Sequence, residues 1–144
     1  MKLKFAVAMI FTSLTSLSAM VAVADSGGDS MVEKPFVYIA TPKDGATVKS
    51  PVTVKFGLEN MTVMPAGHEH PNSGHHHLII DAELPNLAMP IPMGNNHLHF
   101  GKGQTETSLE LPPGKHTLQL LMGDHFHRPH AEPVYSRKIT IIVE

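Results

Sequence analysis

The sequence predicts an all-β domain: an antiparallel β-sandwich of immunoglobulin-like or cupredoxin-like type with about seven strands. Three observations carry this. Short runs rich in Val, Ile, Thr and aromatic residues alternate apolar with polar positions. Twelve prolines and eleven glycines punctuate those runs and leave no room for long helices. No apolar stripe of 3.6-residue period is sustained anywhere downstream of residue 35. A small cupin-like barrel is the alternative way to arrange the same strands.

The elements follow in order. Phe36–Ala40 is the first strand, and Pro42-Lys43-Asp44-Gly45 supplies a turn. Val52–Phe56 alternates and is the second. Met61–Gly74 reads as a long loop with two prolines. His75–Asp81 is the third strand. Glu83–Asn96, with three prolines, is a second long loop, and His97–Phe100 a short fourth strand. Thr105–Leu111 alternates and ends at the turn Pro112-Pro113-Gly114. His116–Met122 is strong strand sequence. Gly123–Pro133 is a third loop, and Tyr135–Val143 closes the domain with Ile139, Ile141 and Val143 in alternation.

The N-terminus reads as an export signal. Lys2 and Lys4 precede a largely apolar run, and Ala22-Val23-Ala24 offers a small-x-small cleavage pattern. The expected division is a signal peptide over 1–24, a disordered Gly/Ser-rich leader over 25–34 and a single β domain over 35–144. The expected location is the bacterial periplasm or the exterior. Cleavage removes two lysines and no acid, taking the formal charge from −2 to −4. That balance excludes a partner held by phosphate neutralisation, so no nucleic acid is expected. No later run is long and apolar enough to span a bilayer as a helix. The absence of cysteine excludes disulfides, thiolate metal sites, iron–sulfur clusters and a lipid-anchored cysteine.

Eleven histidines, all between His68 and His130, are the chemical signature. Strand side chains alternate faces, so residues two apart share one. If Leu78 and Ile80 face the core, His75 and His77 face away from it. Leu98 and Phe100 likewise turn His97 and His99 outward. If those two strands are neighbours, the two His-x-His pairs could lean onto one ion. His125, His127 and His130 lie in the loop after a strong strand and form a second ligand group, with Asp124 able to orient an imidazole. The expected metal ligands are therefore drawn from His75, His77, His97, His99, His125, His127 and His130. A single His-x-His on a strand is ordinarily only a solvated face. Several such groups of like-titrating rings repel when charged, and a metal removes that conflict. His116 shares its face with Leu118 and Leu120 and reads as a satisfied structural histidine. His68 and His70 flank Glu69 in a loop and are at most auxiliary ligands.

Six methionines remain after the signal: Met31, Met61, Met64, Met89, Met93 and Met122. Thioether beside imidazole places copper ahead of zinc as the expected ion, although gap filling in a loop-rich core explains methionine equally simply. Because neutral imidazoles bind, affinity is expected to fall below about pH 6. No nucleophile elbow, phosphate loop or helical His-Glu-x-x-His zinc motif is present.

Three stretches together carry a resemblance: Gly74-His75-His76-His77-Leu78-Ile79-Ile80-Asp81; Asn96-His97-Leu98-His99-Phe100-Gly101 with Gln104-Thr105-Glu106; and Leu111-Pro112-Pro113-Gly114-Lys115-His116-Thr117-Leu118-Gln119-Leu120, running on to Gly123-Asp124 and His130. This pattern resembles the bacterial exported family known as domain of unknown function 4399, which implies a small exported β domain with no established activity. Thr41–Val48 followed by Pro51-Val52-Thr53-Val54 is more loosely similar to the opening of CopC-type periplasmic copper-carrier sandwiches. Those use a histidine at the mature N-terminus, where this chain has Asp25. His97-x-His99 with Pro113-Gly114-Lys115-His116 faintly resembles cupin metal motifs, but Glu106 comes too late.

Three functions are consistent with these readings. The first is a periplasmic copper or zinc carrier or buffer without catalytic activity. The second is a metal-dependent oxidase, dioxygenase or hydrolase using three histidines and an open position, with Asp81 or Asp124 as acid or base. The third is an immunoglobulin-like module that binds a periplasmic or envelope protein without metal.

Overall fold

Alternation of apolar and polar residues decides which side of each strand is buried. In Val52–Phe56 the residues Val52, Val54 and Phe56 are buried while Thr53 and Lys55 are exposed. The computed structural model describes residues 33–144, so the expected signal peptide and most of the expected leader lie outside it. Nine strands form: β1 (Phe36–Thr41), β2 (Thr47–Val48), β3 (Val52–Glu59), β4 (Thr62–Val63), β5 (Ser73–Ile80), β6 (His97–His99), β7 (Glu106–Leu109), β8 (Gly114–Gly123) and β9 (Ile139–Val143). The seven expected strands are all present. The two additions, β2 and β4, are two-residue pieces too short to leave an alternating pattern. No helix occurs among the described residues.

The strands make two sheets that do not close into a barrel. One is β1-β3-β7, and the other runs β2-β9-β8-β5-β4 with β6 also paired to β5. The architecture is thus a β-sandwich, and the barrel alternative falls away. Most pairings are antiparallel; the short β2–β9 and β4–β5 pairs are parallel. The core between the sheets is built from Val37, Val54, Leu78, Leu118, Leu120, Met122 and Ile141, all essentially without solvent contact, with Phe56 and Phe100 packed edge to face.

The strand β5 differs from the others in being buried on both faces along its whole length. Its inner face, His76, Leu78 and Ile80, meets the core. Its outer face, His75, His77 and Ile79, is roofed by the loops on either side of β6 and after β8. There Ile79, Leu121 and Ile91 form a second small apolar cluster with Ala82, Leu84 and Leu87. Register places this outer face. Across β8, His75 pairs with Gly123, His77 with Leu121 and Ile79 with Gln119. Across β6, His77 pairs with His99 and Ile79 with His97. Directly paired residues share a face, so both His-x-His pairs project to the same side.

Candidate metal centre

Four imidazoles meet on the outer face of β5. Ring centroids lie 4.8 Å apart for His75–His77, 4.9 Å for His75–His99, 5.1 Å for His77–His99 and 4.6 Å for His99–His127. His127 stands 5.0 Å from His75 and 6.2 Å from His77. His75, His77 and His99 each offer one ring nitrogen, and these atoms lie within 4.8 Å of one another. His75 and His77 have no solvent exposure.

Two glycines make the convergence possible. A Cβ at Gly123 would lie 2.6 Å from Cε1 of His77, and one at Gly101 would lie 2.2 Å from Cε1 of His99. The missing side chains are the spaces into which these rings lean. At Gly123 the effect joins β5 to β8: the vacant place beside His75 lets His77 tip toward it.

The hydrogen-bonding state of these rings is unusual. Both nitrogens of His75 and of His77 are buried without a partner, as is Nε2 of His99. Buried polar atoms are nearly always paired, and each one left alone costs on the order of 1–3 kcal/mol. Five such atoms lie together here, and both nitrogens of His76 on the core face and Nε2 of His97 are likewise without a partner. Burial is the main reason the rings are neutral: it pushes His75 down to about 4 and His77 down to about 3, with the neighbouring imidazoles adding to the effect. His99 is lowered by burial and by His127. The rings therefore stay deprotonated and competent as ligands further into acid than the value near pH 6 expected from exposed histidine.

The fourth ring comes from a short loop. Asp124 Oδ1 accepts from the backbone N–H of Phe126 at 2.8 Å and of Arg128 at 2.9 Å. The Asp124 carbonyl accepts from His127 N–H at 2.9 Å, and Asp124 N–H donates to the Arg128 carbonyl at 2.8 Å. His127 has φ of 62°, a left-handed conformation that a non-glycine residue holds only when its surroundings require it. Ile91 N–H donates to the His127 carbonyl at 2.8 Å and ties this loop to the one before β6.

The remaining histidines lie elsewhere. His97 points to the same face but sits opposite Ile79, one pair further along the sheet. His125 packs against Phe126 with ring centroids 4.0 Å apart and planes tilted by 44°. His130 Nε2 donates to the Ser73 carbonyl at 2.9 Å and ties the third loop to the start of β5. No ring contact joins these three to the four-histidine group among the described residues. His68 and His70 are exposed in their loop. His76 faces the core against Phe56, at 5.0 Å between rings.

Neither carboxylate expected to serve as an acid or base is hydrogen-bonded to an imidazole of the cluster, although the charge of Asp124 acts on His75 and opposes the lowering of its pKa. Asp124 holds its own loop. Asp81, at φ 52° where β5 ends, accepts Thr117 N–H at 2.7 Å and pairs through Oδ2 with His116 Nδ1 at 2.7 Å. His116 Nε2 also donates, to the Pro112 carbonyl at 2.8 Å. With both ring nitrogens donating, His116 is an imidazolium, and the hydrogen bond to Asp81 is the main cause of its raised pKa. Of the methionines, Met89 and Met93 are exposed and Met122 lies in the core, while half-buried Met64 donates its N–H to the Gly74 carbonyl, next to His75.

The sequence marked both His-x-His pairs and their common face. It could not mark Gly101 and Gly123 as neighbours of the histidine rings, because only register and ring orientation reveal what a Cβ there would strike. No helix among the described residues is long and apolar enough to cross a membrane.

Among curated proteins none matches the chain. Among solved structures it is similar to the endo-beta-1,4-mannanase from Thermotoga petrophila, with 16% identity and a TM-score of 0.47 over 83% of this chain and 21% of that one. The chain thus spans about a fifth of that protein's length. The model of the family described as Domain of unknown function (DUF4399) matches residues 54–144, a range that contains every residue of the four-histidine cluster and both of its glycines, and the chain belongs to that family.

Proposed function

We propose that this protein is a metal-binding carrier or buffer, acting in the periplasmic or exported setting its N-terminal sequence implies. It takes one divalent ion of borderline softness, Cu(II) ahead of Zn(II). The observation that carries the reading is the meeting of His75, His77 and His99, from two consecutive strands joined by a long loop, with buried ring nitrogens that carry no hydrogen bond. His127 is not part of that trio of nitrogens but stands beside it, with its ring centroid 4.6 Å from that of His99. Imidazole suits both ions, and Cu(II) is the tighter binder at a given nitrogen site. The imidazole donors by themselves supply the preference for copper.

Holding is favoured over turnover for two reasons. With His127 turned onto the trio, four protein ligands would make a closed sphere, whereas catalytic sites keep a position open. Asp81 and Asp124, the carboxylates that could have served as acid or base, are engaged elsewhere.

The test is metal titration and elemental analysis of untagged protein. One equivalent of Cu(II) or Zn(II) is expected to survive gel filtration. The double variant His77→Ala/His99→Ala should lose stoichiometric binding, whereas His97→Ala and His125→Ala should keep it. Parent protein that refuses both ions would defeat the proposal, and so would a double variant that binds as the parent does.

A further inference from the structure

The four rings are not held alike, and the difference bears on how an ion would enter and leave. His75, His77 and His99 stand on paired strands, their positions set by the β5–β6 and β5–β8 ladders. His127 stands on a loop of a few residues after β8. Its ring is nearest His99 and furthest from His77, so it closes the cluster from one side. Its backbone is held in the left-handed region by a small set of hydrogen bonds that centre on Asp124. Two of them, from Phe126 N–H and Arg128 N–H, end on one side-chain oxygen.

Resting on the metal-binding reading above, we infer that Asp124 is a positioning residue that sets His127 as the fourth and exchangeable donor to the ion held by His75, His77 and His99. It acts through the loop and not by touching the imidazole. The three strand histidines hold the ion. His127 leaves first when the ion is passed to an acceptor, because displacing it disturbs one short loop and no sheet pairing. The acceptor is defined by chemistry: a protein or small molecule offering an imidazole or thioether donor that enters the place His127 vacates.

The experiment compares the full chain with Asp124→Ala, Asp124→Asn and His127→Ala, each loaded with Cu(II). It reads the paramagnetic resonance spectrum, which reports the number of nitrogen donors, and the rate of release to excess chelator. In the metal-free proteins, amide exchange over residues 124–128 reports the loop directly. Asn retains the Oδ1 acceptor, so Asp124→Asn is expected to match the parent. Asp124→Ala is expected to lose one nitrogen donor, to release copper about 10-fold to 100-fold faster, and to exchange its loop amides faster, matching His127→Ala in spectrum and rate. If Asp124→Ala does not fold, His127→Ala carries the test of the fourth donor. A parental spectrum and release rate in His127→Ala would show that His127 is no ligand. The same result in Asp124→Ala, with His127→Ala altered, would remove Asp124 from its role. Parent protein that binds no copper would overturn the metal-binding reading itself, a failure distinct from either.

Discussion

At the scale of single residues, two histidine environments respond to acid in opposite directions. His116 is held as an imidazolium by Asp81 and the Pro112 carbonyl, and its pKa is raised. A group whose folded pKa exceeds its unfolded value binds more protons in the folded state. Its stabilisation is therefore full below about pH 6.5 and is lost as pH rises through the folded pKa. Asp81→Asn keeps a residue tolerant of positive φ but removes the charge. It is expected to lower stability by about 1–2 kcal/mol at pH 6 and to flatten the decline expected of the parent above neutrality. Urea midpoints between pH 5 and 9 would check this. An unchanged pH profile in the variant would mean that the pair carries no linkage.

At the scale of elements, the glycines of β8 and of the turn after β6 are the fitted parts. A methyl at Gly123 meets the His77 ring and also Ile91, whose Cδ1 would lie 3.2 Å away. Gly123→Ala is expected to cost about 1–3 kcal/mol through overpacking and to weaken metal affinity by forcing His77 off its neighbours. Gly101→Ala should act in the same way through His99. Alanine at Gly94, where a Cβ meets nothing within 4 Å, is the control and should change neither property. Thermal midpoints with and without Cu(II) would separate the two effects. Equal behaviour of the three alanine variants would remove the argument that the glycines shape the site.

At the scale of the whole molecule, the metal-free protein should be most stable near pH 6.5. Burial lowers His75 and His76 to about 4 and His77 to about 3. As pH falls below the unfolded value near 6.5, the unfolded chain takes up protons that these folded rings refuse. Stability therefore declines from there downward. His116 supplies the opposing decline on the alkaline side. Ion binding adds to the neutral-pH value: at a free-ion concentration of a thousand times Kd the gain is about 4 kcal/mol. Calorimetry at pH 7 should show a large rise in Tm on adding one equivalent of Cu(II), absent in His77→Ala/His99→Ala. A flat response to copper in the parent would count against the site.

The sequence by itself determined the sandwich, its seven longer strands and the outward face of both His-x-His pairs. Those properties follow from the period-two alternation along a strand and from Pro and Gly punctuation, and both are local. It also singled out the loop after β8. Tertiary structure alone decided that β6 and β8 flank β5, that His127 rather than His125 or His130 joins the strand histidines, and that the outward face is buried. Alternation reports which side of a strand a residue takes, not which strand stands beside it or what covers it. Register and loop closure depend on contacts between residues far apart in the chain: His77 with His99, Ile91 with His127, Asp81 with His116. Gly101 and Gly123 show the limit most plainly, since the role of an absent side chain becomes visible only once the ring that fills its place is seen.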